Sequence, residues 1–87
     1  MERSDVKIEV ARLHRFDGEG TLKAFVDINF GDMLIVKGVR VVSGKKGLFV
    51  SLPREKGKDG KWYETVSPLT DELRQKLGEV VLEAYAV

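Results

Sequence analysis

Eight cations and only two carboxylates fall between residues 37 and 61 of this 87-residue chain. Lys37, Arg40, Lys45, Lys46, Arg54, Lys56, Lys58 and Lys61 stand against Glu55 and Asp59, a local charge of +6 in a chain whose net charge is +1. The first 36 residues carry −2 and the last 26 carry −3. Such a concentration suits phosphates: each Lys or Arg that neutralises one releases condensed counterions and gains affinity without reading base sequence. Trp62 and Tyr63 follow directly, and rings that the core does not claim can stack on bases. The candidate nucleic-acid-binding residues are therefore Arg54, Lys56, Lys58, Lys61, Lys45 and Lys46. Lysine-glycine turns equally suit a chain that only has to stay soluble, so composition leaves both readings open.

Chemistry of other kinds finds little to work with. There is no cysteine, which removes disulfides and thiolate metal sites, and the single histidine, His14, cannot build a zinc site or a catalytic triad alone. No phosphate loop, dinucleotide glycine fingerprint or serine elbow is present. Gly18 and Gly20 join two strand patterns and lead to no helix. Glu79 and Glu83, four apart, read as a solvated helix face, and His14 beside Arg15 as surface decoration. The expectation is a protein that binds rather than catalyses, with no cofactor, no metal and no small-molecule substrate. No apolar run reaches the roughly 18 residues of a membrane span, and Met1 to Asp5 make no signal peptide, so the chain reads as cytoplasmic.

The elements that must position the cations are legible in the apolar pattern. Leu22, Ala24, Val26, Ile28 and Phe30 alternate with polar neighbours, a strand with one apolar face. Val6, Ile8 and Val10 do the same until the phase flips to Ala11 and Leu13, which predicts a bulge. Asp17-Gly18-Glu19-Gly20 makes the two runs a hairpin. Met33 to Val42 is a further strand interrupted at Gly38, and Ser43 to Gly47 turns it into Leu48 to Leu52, which Pro53 stops. Residues 54 to 60 contain no apolar side chain and read as a loop ending in Asp59-Gly60. Lys61 to Val66 is expected to form a last short strand.

Thr70 is placed to cap a helix, with Asp71 and Glu72 in its first turn where the dipole favours acids. Leu73, Leu77, Val80, Val81 and Ala84 then fall on one stripe. The expected fold is α+β: a mostly antiparallel sheet of four to five strands with one C-terminal helix packed on it, forming a single domain over residues 1 to 87. A domain of this size buries only roughly 60–65% of the surface its unfolded chain exposes. With no covalent staple, self-association is the remaining route to stability.

Several segments together resemble the stage V sporulation protein G (SpoVG) family. They are Val39-Arg40-Val41-Val42-Ser43-Gly44, Gly47-Leu48-Phe49-Val50-Ser51-Leu52-Pro53, Asp59-Gly60 and Ser67-Pro68-Leu69. The opening Asp5-Val6-Lys7-Ile8 and the hairpin into Leu22-Lys23-Ala24 match as well. The resemblance implies a small α+β homodimer without enzymatic activity, a regulator of septation and sporulation that binds DNA and, in some members, RNA. It also implies that the basic residues after the proline, here Arg54 and Lys56, contact the nucleic acid. Many relatives place two basic residues side by side there, whereas this chain inserts Glu55. A second reading is a protein-interaction module in septum formation whose basic patch meets an acidic partner or an anionic membrane surface.

Overall fold

A computed structural model describes residues 6–87; Met1 to Asp5, including the first residue of the Asp5-Val6-Lys7-Ile8 match, lie outside the described residues. Four strands, β1 (Ile8–Arg15), β2 (Leu22–Phe30), β3 (Leu34–Gly44) and β4 (Gly47–Ser51), form an antiparallel sheet in the order β1-β2-β3-β4. A separate hairpin of β5 (Arg54–Lys56) and β6 (Trp62–Glu64) follows, and then one helix, α1 (Asp71–Ala86). The α+β expectation holds.

The period-two pattern of β2 becomes its burial: Ala24, Val26 and Ile28 are buried against Val39 and Val41 of β3. Both predicted irregularities are present. In β1, Val10 faces Ile28 and Arg12 faces Asp27, so Ala11 is the extra residue and the strand resumes with Leu13 opposite Val26. Ala11, expected to share the apolar side of Leu13, is therefore exposed. In β3, Val36 pairs with Ile28 and Val39 with Val26, which leaves Lys37 and Gly38 opposite Asp27 alone. Two valines three residues apart can both point inward only if the backbone between them kinks. Gly38 supplies the kink with a φ of +88°, a conformation that L side chains adopt reluctantly.

The helix starts where the sequence says. The backbone of Thr70 is extended, and its hydroxyl accepts a hydrogen bond from the Leu73 amide at 3.1 Å. Leu77 and Val81 are buried against the sheet, joined by Leu52. Leu82 and Tyr85 lie outside the predicted stripe yet pack on the same core, because the helix contacts both outer strands, β1 and β4. Its last turn contains no basic residue. Arg15, at the end of β1, supplies the missing cation: its guanidinium donates to the carbonyls of Tyr85 and Val87 and lies 5.2 Å from the Tyr85 ring centre. A positive group at the carbonyl end of a helix offsets the partial negative charge gathered there.

One expectation is corrected. Residues 54 to 60 do not all form a loop; Arg54–Lys56 is a strand paired with Trp62–Glu64. The expected strand over Lys61 to Val66 shortens to those three residues and joins β5 in its own ladder instead of extending the main sheet. A two-stranded ladder that lies on the surface satisfies its backbone without an apolar face, so the absence of apolar residues from 54 to 60 did not exclude it.

Candidate nucleic-acid interface

The β5–β6 ladder decides which way each charge points. Arg54 pairs with Glu64, Glu55 with Tyr63 and Lys56 with Trp62. Alternation then puts Arg54, Lys56, Trp62 and Glu64 on one face and Glu55 with Tyr63 on the other. Glu55, which breaks up the basic pair in the sequence, is therefore turned away from Arg54 and Lys56. A loop would have left it between them.

Trp62 and Tyr63 part company for the same reason. The Trp62 ring is 60% exposed, and the Arg54 guanidinium carbon stands 6.0 Å from its centre, at the outer limit of a cation–π contact. Tyr63 is used within the hairpin. Its hydroxyl donates to the Asp59 carboxylate at 2.6 Å, and the other oxygen of that carboxylate accepts from the Lys61 amide at 3.0 Å. These two donors, the tyrosine hydroxyl first, hold the Asp59 carboxyl below its ordinary pKa. The bond raises the Tyr63 pKa in return. Gly57 lets the Tyr63 ring lie close to the turn: a Cβ there would come within 2.8 Å of it, and the ring would have to shift. Lys58 and Lys61 flank Asp59 and are exposed.

Glu64 is the one acid on the cationic face, and Arg74 occupies it. The two guanidinium nitrogens donate to its two oxygens at 3.0 and 2.9 Å. That bidentate bond is the leading cause holding the Glu64 carboxyl below its ordinary value. It also ties the hairpin to the first turns of the helix. A carboxyl lowered in this way contributes its stabilisation above its unfolded pKa and loses it as pH falls through the folded value. The face thus presents Arg54 and Lys56 with the acid on their own side of the ladder already paired.

Lys45 and Lys46 form the turn between β3 and β4, where Gly44 pairs with Gly47. The five residues of β4 separate that turn from the β5–β6 hairpin, roughly 17 Å of extended chain. The six candidates therefore fall into two groups, one at each end of β4. At the hairpin end two further cations are near: Arg40 pairs with Ser51, and Gly38, next to Lys37, lies against Pro53. Neither was among the sequence-derived candidates. Their proximity is set by strand register, which the local charge count does not carry.

Among the described residues, no group of three or more His, Cys, Asp or Glu side chains is placed to hold a metal ion. Nor is any helix of the described residues long and apolar enough to cross a membrane. The comparisons with known proteins point one way. The SpoVG family model matches residues 1–87. Three relatives carry the name "Putative septation protein SpoVG", which is not an enzyme's name. One from Symbiobacterium thermophilum is 46% identical over 92% of this chain and 57% of its own length. One from Archaeoglobus fulgidus is 38% identical over 91% of this chain and 93% of its own. One from Lachnospira eligens is 35% identical over 92% of this chain and 91% of its own. The motifs around Pro53 and the match along the whole sequence agree, and the chain belongs to the SpoVG family.

Proposed function

We propose that the chain is a non-enzymatic regulator linked to septation, acting as a homodimer that binds DNA or RNA through the phosphate backbone. The observation that carries this reading is the shared face of the β5–β6 hairpin, where Arg54, Lys56 and the exposed Trp62 stand together and Arg74 engages Glu64, the acid among the ladder residues of that face. Cations beside an uncommitted ring fit a strand of alternating phosphates and bases. The name of the relatives supports the link to septation.

The test is a binding titration on duplex DNA, single-stranded DNA and RNA across a range of salt. Saturable binding is expected, with log K falling by about 0.9 per phosphate contact for each unit of log salt. An acidic protein partner or an anionic membrane surface as the true target would instead leave little affinity for any nucleic acid at physiological salt.

The dimer has its own support. An apolar groove of about 280 Å³ opens between the sheet and the segment before the helix, lined by residues such as Ile28, Leu34, Val66 and Leu69. Leu69 is 96% exposed and Leu34 about half exposed. Exposed leucines beside an apolar groove are the surface that a second copy would bury. Light scattering at micromolar concentration should give about twice the chain mass of 9.8 kDa, and Leu69→Asp should shift it toward one. A wild type that stays monomeric removes the dimer.

A further inference from the structure

The face of the main sheet turned away from the helix carries a second constellation. Register aligns His14, Phe25, Arg40 and Ser51 in one row across β1 to β4. The neighbouring positions Ala24, Val26, Val39 and Val41 point the other way, into the core. Phe25 is 39% exposed. The Phe16 ring meets it edge-on at 5.1 Å and the His14 ring meets Phe16 at 5.0 Å. The Arg40 guanidinium stands 5.9 Å from the centre of the Phe25 ring. One step along, Phe49 pairs with Val42 and is 49% exposed, its ring lying over Gly44 so closely that a Cβ there would come within 2.9 Å. Arg12, two residues before His14, is exposed as well.

The core asks for none of these rings, and a polar β-former would satisfy the ladder equally well. The set differs from the groove described above. There the exposed side chains are leucines and the lining holds no cation; here flat rings are interleaved with guanidinium groups. Phe25 and Phe49 are two strands and one side-chain step apart, roughly 12 Å. Ser51, at the end of the row, is three residues from Arg54, so at most about 11 Å of chain separates the row from the basic hairpin.

We propose that this face is a stacking platform for single-stranded nucleic acid, with Phe25 and Phe49 each receiving a base and Arg40 and Arg12 the adjoining phosphates. The proposal rests on the nucleic-acid reading and adds strand selectivity to it, because bases in a duplex are already stacked and cannot reach the rings. Hairpin and platform make different demands: the hairpin needs only phosphates, the platform needs bases.

Fluorescence anisotropy with three labelled probes separates them: an oligothymidylate, an abasic strand of the same length, and a duplex. Phe25→Leu keeps the apolar bulk and removes the ring. It should weaken the oligothymidylate roughly tenfold, as expected for one lost base–aromatic stack, and leave the other two probes within about twofold. Should that variant not fold, Phe49→Leu, at a more exposed position, takes its place with the same expected pattern. Alanines at Arg54, Lys56 and Lys58 should weaken all three probes together. The platform is overturned if the ring variants lose all probes in parallel or lose none. It is also overturned if the wild type holds the abasic strand as tightly as the oligothymidylate, which leaves the hairpin reading standing. A wild type that binds no probe removes both. If Phe25→Leu halves the mass in solution, a second copy covers this face, and the platform is again overturned.

Discussion

A protein with Arg54, Lys56 and Lys58 all changed to alanine should melt at the wild-type temperature and bind DNA more weakly whatever its sequence. The three side chains are exposed, and none takes part in the core, so the substitutions belong with surface changes that stay within about ±0.5 kcal/mol each. The ladder that carries Arg54 and Lys56 is held by backbone pairing, by the Tyr63–Asp59 bond and by Arg74 on Glu64, all of which survive. Binding is a different matter. Each phosphate contact removed should flatten the dependence of log K on log salt by about 0.9, up to about 3 in all. Lys45→Ala with Lys46→Ala is the comparison. Those lysines stand at the other end of β4, so they add to the loss only for a nucleic acid long enough to span both ends. A triple variant with unchanged melting and unchanged binding would transfer the site to Trp62 and to the Phe25 and Arg40 face of the main sheet.

The sequence showed these cations without showing how they are arranged. Residues 21 to 30 and the helix were readable because burial imposes a period: one side of β2 and the Leu77–Val81 side of α1 meet the same core, and apolar residues recur accordingly. The bulge at Ala11 was readable for the same reason, as a phase break in that period, and the one at Gly38 as a glycine inside a strand. The β5–β6 hairpin buries no face, so although Lys61 to Val66 read as a short strand, nothing in residues 54 to 60 announced its partner. Once Arg54–Lys56 is extended, Glu55 ceases to be an interruption and becomes the opposite side of the ribbon. The neutralisation of Glu64 was out of reach for another reason. Arg74 is ten residues away on the helix, and only the tertiary fold brings the two groups to 2.9 Å. Proximity of Arg40 to the hairpin depends in the same way on the β3–β4 register.

Leu77→Ala should be the most damaging single substitution on the helix, costing about 2–5 kcal/mol. Leu77 is 6% exposed and touches the core strands, whereas Glu79, two residues on, is exposed. Glu79→Ala should therefore stay within about ±0.5 kcal/mol, and equal effects would mean that the helix face is assigned wrongly. Two features narrow the first range. Leu77 lines the apolar groove beside Leu69 and also a second one of about 330 Å³ between β4 and the helix. Truncation opens onto space that already exists, so less sealed void is created and the cost belongs near the lower end, about 2–3 kcal/mol. A small domain stabilised by roughly 5–15 kcal/mol would still fold, and urea midpoints should fall with the slope unchanged. The effect should also reach the proposed binding face. Leu77 is one turn from Arg74 and anchors the part of the helix that holds Arg74 against Glu64. If that turn loosens, the Glu64 carboxylate is released beside Arg54, and DNA affinity should drop even at temperatures where the variant remains folded. Arg74→Ala, which frees the same carboxylate without touching the core, should reproduce the loss of affinity with a much smaller change in midpoint. Unchanged binding in both variants would show that the charge of Glu64 is not felt by the nucleic acid.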